Sequence, residues 1–136
     1  MAAVPRVALL RVVGPPGSGK TLLIVSLVMR ESSFRLDVEE GDTLGALGEV
    51  GLMQTHGVAL RFAPDGCQLA GDARCQIATG VRFLAFVRDR CPGSPWRWVA
   101  SYGMSHCATE EEARRDSATR RAFDYYRQLG GEGWAD

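Results

Sequence analysis

Eight consecutive residues, Gly14-Pro15-Pro16-Gly17-Ser18-Gly19-Lys20-Thr21, carry the densest chemistry in this chain. They satisfy the spacing G-x-x-x-x-G-K-[ST] in full. The glycines let backbone N–H groups turn inward on a phosphate with no Cβ in the way. A helix opening near Lys20 adds the positive end of its dipole. In that arrangement Gly14, Gly17, Ser18 and Gly19 cradle the phosphates, Lys20 reaches the β- and γ-phosphates, and the Thr21 hydroxyl holds Mg²⁺. The expected ligand is a nucleoside triphosphate, GTP or ATP, with its Mg²⁺.

Such a loop needs a strand before it and a helix after it. Val7 to Val13 supplies an apolar run for the strand, and Leu22 to Met29 one for the helix. Phe34 to Val38 reads as a second strand, closing on Glu39-Glu40-Gly41-Asp42. Thr43 to Thr55 has helical spacing at Leu44, Leu47 and Leu52, but Gly45, Gly48 and Gly51 each weaken a helix by roughly 1 kcal/mol relative to alanine. Val58 to Phe62 reads as a third strand, followed by a turn at Pro64-Asp65-Gly66. Asp72 to Arg90 has apolar residues at Ile77, Val81, Leu84, Ala85 and Val87, an amphipathic helix despite Gly80. After the break at Pro92-Gly93-Ser94-Pro95, Trp96 to Tyr102 alternates like a fourth strand and runs into Gly103.

The C-terminal helix is expected over about 109–129. Thr109 and Glu112 form a capping box, and Glu110 and Glu111 precede Arg114 and Arg115 by four residues. Ala118, Ala122, Tyr126 and Leu129 make its buried stripe, and Gly130-Gly131 stops it. Strands alternating with helices predict one α/β domain over residues 1–136. Its expected form is a P-loop NTPase fold: a mostly parallel sheet of about four strands flanked by helices, lacking the usual C-terminal strands.

At 136 residues, 46% of them hydrophobic, the chain is long enough for a real core. Sixteen basic residues balance sixteen acidic ones, which points to neither a nucleic-acid nor a membrane surface. Arg6 and Arg11 interrupt the N-terminal apolar run and argue against a signal peptide. Four cysteines are too sparse for a disulfide scaffold, and a phosphate loop implies a reducing interior, so a cytoplasmic protein is expected.

Further landmarks follow in order. Glu40-Gly41-Asp42 ends the second strand, His56-Gly57-Val58 opens the third, Gly66-Cys67-Gln68-Leu69 comes next with Asp72-Ala73 nearby, and Gly103 precedes Cys107 by four residues. From about Val7 to Cys107 this resembles the nickel-insertion GTPases of hydrogenase maturation, relatives of the urease accessory GTPases. The resemblance implies a homodimeric GTP hydrolase that hands Ni²⁺ or Zn²⁺ to a metalloenzyme-maturation partner. It assigns Lys20 and Thr21 to phosphates and Mg²⁺, Asp42 to the switch position near the γ-phosphate, and Cys67 and Cys107 to thiolate metal ligands at a dimer interface.

The chain departs from that pattern in several places. Gln68 stands where the family has a histidine, and His106 beside Cys107 is the candidate replacement. Ala100 stands where an acid is expected, which predicts weak hydrolysis. No N-K-x-D motif follows to read guanine. Two alternatives therefore stay open: a small P-loop kinase with Arg114, Arg115, Arg120 and Arg121 as a lid, and a non-catalytic nucleotide-binding module. Blander roles remain for individual residues: packing for Cys67, Cys107, Cys75 and Cys91, a solvated turn for His56, a strand end for Asp42, and one shared strand face for Trp96 and Trp98.

Overall fold

Leu22 to Met29 is nearly apolar all round, and a helix of that composition must be enclosed by others. It forms α1 (Lys20–Ser32), which buries Leu23, Ile24, Leu27 and Val28. Residues 20–46, 48–55, 57–104 and 106–132 are described in this computed structural model. The chain leaves α1 through Ser33 and Phe34, both in the left-handed region (φ 52° and 57°), into the single turn α2 (Leu36–Glu39). A long loop follows, pinned by an antiparallel bridge between Val50 and Thr55, then a 3-10 helix at Gly57–Phe62. The rest is helical: α3 (Ala73–Arg90), α4 (Pro95–Gly103), α5 (Glu110–Arg115) and α6 (Ser117–Gln128).

α1 packs along α6, α3 against α4 and the 3-10 helix, and α4 against α5 and α6. The core joins the α1 residues to Leu52 and Met53 of the loop, Ile77 and Leu84 of α3, Trp96, Val99 and Ala100 of α4, and Ala122, Phe123 and Tyr126 of α6. Trp96 stacks on Phe123 with ring centroids 4.5 Å apart. Each fully buried side chain of this size contributes roughly 1.5–3 kcal/mol. Among the described residues no helix is long and apolar enough to cross a membrane.

The expected α/β architecture is overturned. Among the described residues there is no strand and no sheet, and a P-loop NTPase fold requires one. Phe34 to Val38 is a left-handed turn and a helical turn, Val58 to Phe62 is the 3-10 helix, and Trp96 to Tyr102 lies inside α4. Short apolar runs fit either periodicity. In the last case Pro95 at the first turn presets φ for a helix, and Trp96, Val99 and Ala100 fall on its buried side at spacings of three and four. Trp96 and Trp98 therefore do not share a face. Thr43 to Thr55 is loop rather than helix, as its three glycines allow. The expected first strand, Val7 to Val13, lies outside the described residues.

Two sequence expectations hold. The amphipathic helix expected over Asp72 to Arg90 forms as α3, and Asp72, not foreseen as a cap, accepts a hydrogen bond from Cys75 N at 3.1 Å. The capping box of Thr109 and Glu112 is complete in both directions, at 3.0 and 3.1 Å. The C-terminal helix is nevertheless two helices. Asp116 ends α5 and caps α6 by accepting from Thr119 N at 3.0 Å, since an Asp gains more from a cap than from a helix interior. The buried face of α6 is Thr119, Ala122, Phe123 and Tyr126, whereas Leu129 is exposed.

Gln76 is fully buried and uses both ends of its amide. Its Oε1 accepts from Leu52 N at 2.9 Å, and its Nε2 donates to the carbonyls of Glu39 and Leu69, both at 2.6 Å. Gln76→Leu keeps the volume but strands Leu52 N and Leu69 O, Glu39 O keeping Gly71 N at 2.8 Å, and should lower stability by about 2–3 kcal/mol. Urea unfolding of both proteins checks this, and a loss under about 1 kcal/mol would show that the loops re-pair elsewhere.

Candidate active site

Gly51-Leu52-Met53-Gln54 runs through the interior instead of over the surface, with Leu52 and Met53 fully buried. Peptides in that position must find partners inside the protein. Three helices supply them. Ser32 Oγ of α1 donates to Leu52 O at 2.8 Å, Gln76 Oε1 of α3 accepts from Leu52 N, and Tyr102 OH of α4 donates to Met53 O at 2.6 Å. Gln54 Nε2 closes the turn on Gly51 O at 2.8 Å. Glycine is needed at Gly51, where φ is 79° and a Cβ would run into the Gln76 side chain, and at Gly80, where a Cβ would run into Met53.

Ser32 thus ties the end of α1 to this loop, and Glu31 is the residue before it. Glu31 lines a cleft of about 1130 Å³ whose walls include Gln54, Thr55, Phe83, Phe86, Tyr102 and Met104, with Arg61, Arg90, Arg121 and His106 also on the lining. The Glu31 side chain is 20% exposed and that of Arg30 only 4%. Arg30 Nε donates to Glu31 Oε1 at 3.1 Å, and Nη2 reaches the same oxygen. Burial, and then the negative charge of Glu31, push the Tyr102 phenol far above its ordinary range, with Arg30 opposing. Tyr102 therefore stays a protonated donor. Asp116, also on the lining, is engaged in capping α6. A carboxyl with one oxygen held and its body sunk in a cleft wall can give a proton to a bound molecule and take one back.

The residues singled out from sequence lie elsewhere. Gly14, Gly17, Ser18 and Gly19 are outside the described residues, as is His56. Lys20 and Thr21 open α1, at the far end of that helix from Glu31. Asp42 sits exposed in the turn after α2, its N–H donating to Asp37 O at 2.9 Å. Cys67 and Cys107 do not meet: Cys67 is bonded to Cys75 and Cys107 to Cys91, with Cα–Cα distances of 5.7 and 5.4 Å. A metal-binding cysteine must be a thiolate, so these paired sulfurs do not fit a shared Ni²⁺ or Zn²⁺ site. His106 Nε2 instead lies 3.0 Å from Glu112 Oε2, and that contact, with the Thr109 N–H, holds the Glu112 carboxyl below the usual range. Ala100 is 1% exposed in the core, so an acid there would be buried, not poised over Mg²⁺. Arg114 and Arg115 pair with Glu110 and Glu111 four residues earlier, the solvated face their spacing suggested.

Glu31, Ser32 and the Gly51–Gln54 loop were not singled out by the sequence reading. One signal was available: Glu31 stands in the last turn of an apolar helix, where a carboxylate opposes the dipole. No protein-family model, curated protein or solved structure matches this chain.

The Tyr102 bond has a pH signature. The folded phenol titrates above its unfolded value of 10.0. Its contribution is therefore fully present below that pH and is lost as the pH rises beyond it. Tyr102→Phe should cost about 1 kcal/mol at neutral pH and remove this part of the alkaline loss. Urea midpoints of both proteins from neutral to alkaline pH measure it, and parallel curves would exclude Tyr102 as the group responsible.

Proposed function

We propose that this chain cleaves glycosidic bonds in a polysaccharide strand, with Glu31 as the proton donor and acceptor. The observation that carries this is the placement of Glu31: a largely buried carboxyl on a fixed helix end, lining a cleft that also presents aromatic rings. Cleaving a glycosidic bond requires a proton on the leaving oxygen and a site that tolerates an oxocarbenium-like centre. A carboxyl on the cleft lining, with one oxygen not engaged by Arg30, is placed for the first task. Glu31 would donate its proton to the bridging oxygen as the C1–O bond breaks, the bonding electrons leaving with that oxygen. The resulting carboxylate would then take a proton from the incoming nucleophile as the new C1–O bond forms. That nucleophile is water or a hydroxyl of the same sugar.

Two features favour a cell-wall glycan carrying peptide carboxylates. Arg61, Arg90 and Arg121 on the lining have no acidic partner among the described residues, Arg90 lying 5.5 Å over the Phe86 ring. Both disulfides suit an oxidising compartment, where such polymers lie, in place of the cytoplasm expected from the motif.

A second proposal keeps the phosphate-loop motif, because α1 begins at Lys20, where the motif requires a helix. In it the N-terminal end of α1 binds a Mg²⁺-triphosphate, separately from the cleft.

The two are tested independently. Wild-type protein should release soluble fragments from purified peptidoglycan, and Glu31→Gln should slow this about 10²–10⁴-fold while unfolding at the same urea concentration. Fragment masses separate hydrolysis, which adds water, from attack by the sugar's own hydroxyl, which does not. A folded wild type inert on peptidoglycan and on chitin oligosaccharides would end the glycan reading. For the second proposal, calorimetry should show Mg²⁺-GTP or Mg²⁺-ATP binding that Lys20→Ala abolishes, and no heat with either nucleotide would end it.

A further inference from the structure

Among the described residues two ion pairs join an arginine to the acid that follows it, Arg30–Glu31 and Arg88–Asp89, and they differ in kind. Arg88 and Asp89 are 47% and 73% exposed and 3.4 Å apart, a solvated pair of the sort that contributes little. Arg30 is 4% exposed. Its Nη1 is buried with no hydrogen-bond partner among the described residues. A buried guanidinium with an unused donor is a cost that packing does not explain, since an apolar side chain of similar length would fill the space without it. What the guanidinium does achieve is specific. Nε and Nη2 both converge on Oε1 of Glu31, and Oε2 receives neither. The neighbouring turn of α4 accommodates this, for at Gly103 even an added Cβ would stand 3.6 Å from Nη2.

We infer that Arg30 is a positioning residue for Glu31: its buried fork clamps Oε1, fixes the carboxyl in one rotamer and leaves Oε2 as the oxygen that exchanges the proton. This rests on the glycan-cleavage reading of the same site. Two donors on one oxygen restrain both the side-chain torsion and the carboxyl plane, which a point charge does not. A misplacement of about 1 Å in a reacting group can cost about 10²-fold in rate, so the clamp is worth having even at the expense of stability. Tyr102, whose phenol feels both charges, closes the same corner from α4.

The test combines a readout of Glu31 itself with kinetics. In protein carrying ¹³C-labelled glutamate, the Glu31 side chain, assigned by its absence in Glu31→Gln, should show one rotamer in the wild type. It should be averaged in Arg30→Met and intermediate in Arg30→Lys, which keeps the charge and loses the fork. On peptidoglycan, kcat should fall about 10²-fold in Arg30→Met with KM within about twofold, and Arg30→Met should add no further loss in a Glu31→Gln background. A Glu31 that keeps one rotamer in Arg30→Met overturns the inference, as does an Arg30→Lys variant equal to wild type in both readouts. If Arg30→Met fails to fold, Arg30→Lys decides alone. If the wild type cleaves no glycan, only the functional reading falls, and the rotamer measurement still decides whether Arg30 positions Glu31.

Discussion

Ser32, Gln76 and Tyr102 come from three different helices and bond to the same pair of buried peptides, at Leu52 and Met53. Each bond is worth only about 1 kcal/mol net, but each group left unpaired in the interior costs about 1–3 kcal/mol. The loop therefore cannot shift by a residue without losing all three at once. α1, α3 and α4 are held in mutual register by a segment that belongs to none of them. Two of the three locking residues adjoin the cleft: Ser32 follows Glu31 in the chain, and Tyr102 shares the cleft wall with it.

The placement of charge along the helices separates stability from function. α5 follows the dipole rule, with Glu110, Glu111 and Glu112 in its first turn and Arg114 and Arg115 in its last. α1 breaks the rule, with Glu31 near its C-terminal end beside a buried arginine. A fold selected only for stability would reverse that pair or replace it by apolar groups. The violation falls at the cleft, where strained or costly arrangements tend to gather.

What could be read from the chain in advance was whatever depended on local signals. The capping box at Thr109 and the ion pairs of α5 each involve residues within four positions of one another, and they are found as expected. Fold class was misread because Phe34–Val38, Val58–Phe62 and Trp96–Tyr102 are too short for period two to be distinguished from period 3.6. The phosphate-loop motif then favoured a sheet for all three. The site was missed for a different reason. Glu31 and Tyr102 lie seventy-one positions apart in the numbering, and what unites them is a loop whose importance lies in backbone groups that every residue carries. The cysteines illustrate the same limit: the resemblance cast Cys67 and Cys107 together as metal ligands, and each instead bonds to a partner on or beside α3.

The Cys91–Cys107 bond encloses the whole of α4, joining the end of α3 to the segment after Met104 in a covalent ring spaced sixteen residues apart. That ring changes how the molecule responds to a proteolytic nick. The exposed turn at Pro92 and Gly93 is an accessible place for an enzyme to cut, and exposed turns are where cutting concentrates. A single cut there opens the backbone but leaves the two fragments tethered through sulfur, with α4 still packed on α3 and Tyr102 still bonded to Met53. Such damage would pass unnoticed in an oxidising medium and become separation only on contact with a reductant. In such a medium this wall of the cleft can outlast an intact backbone.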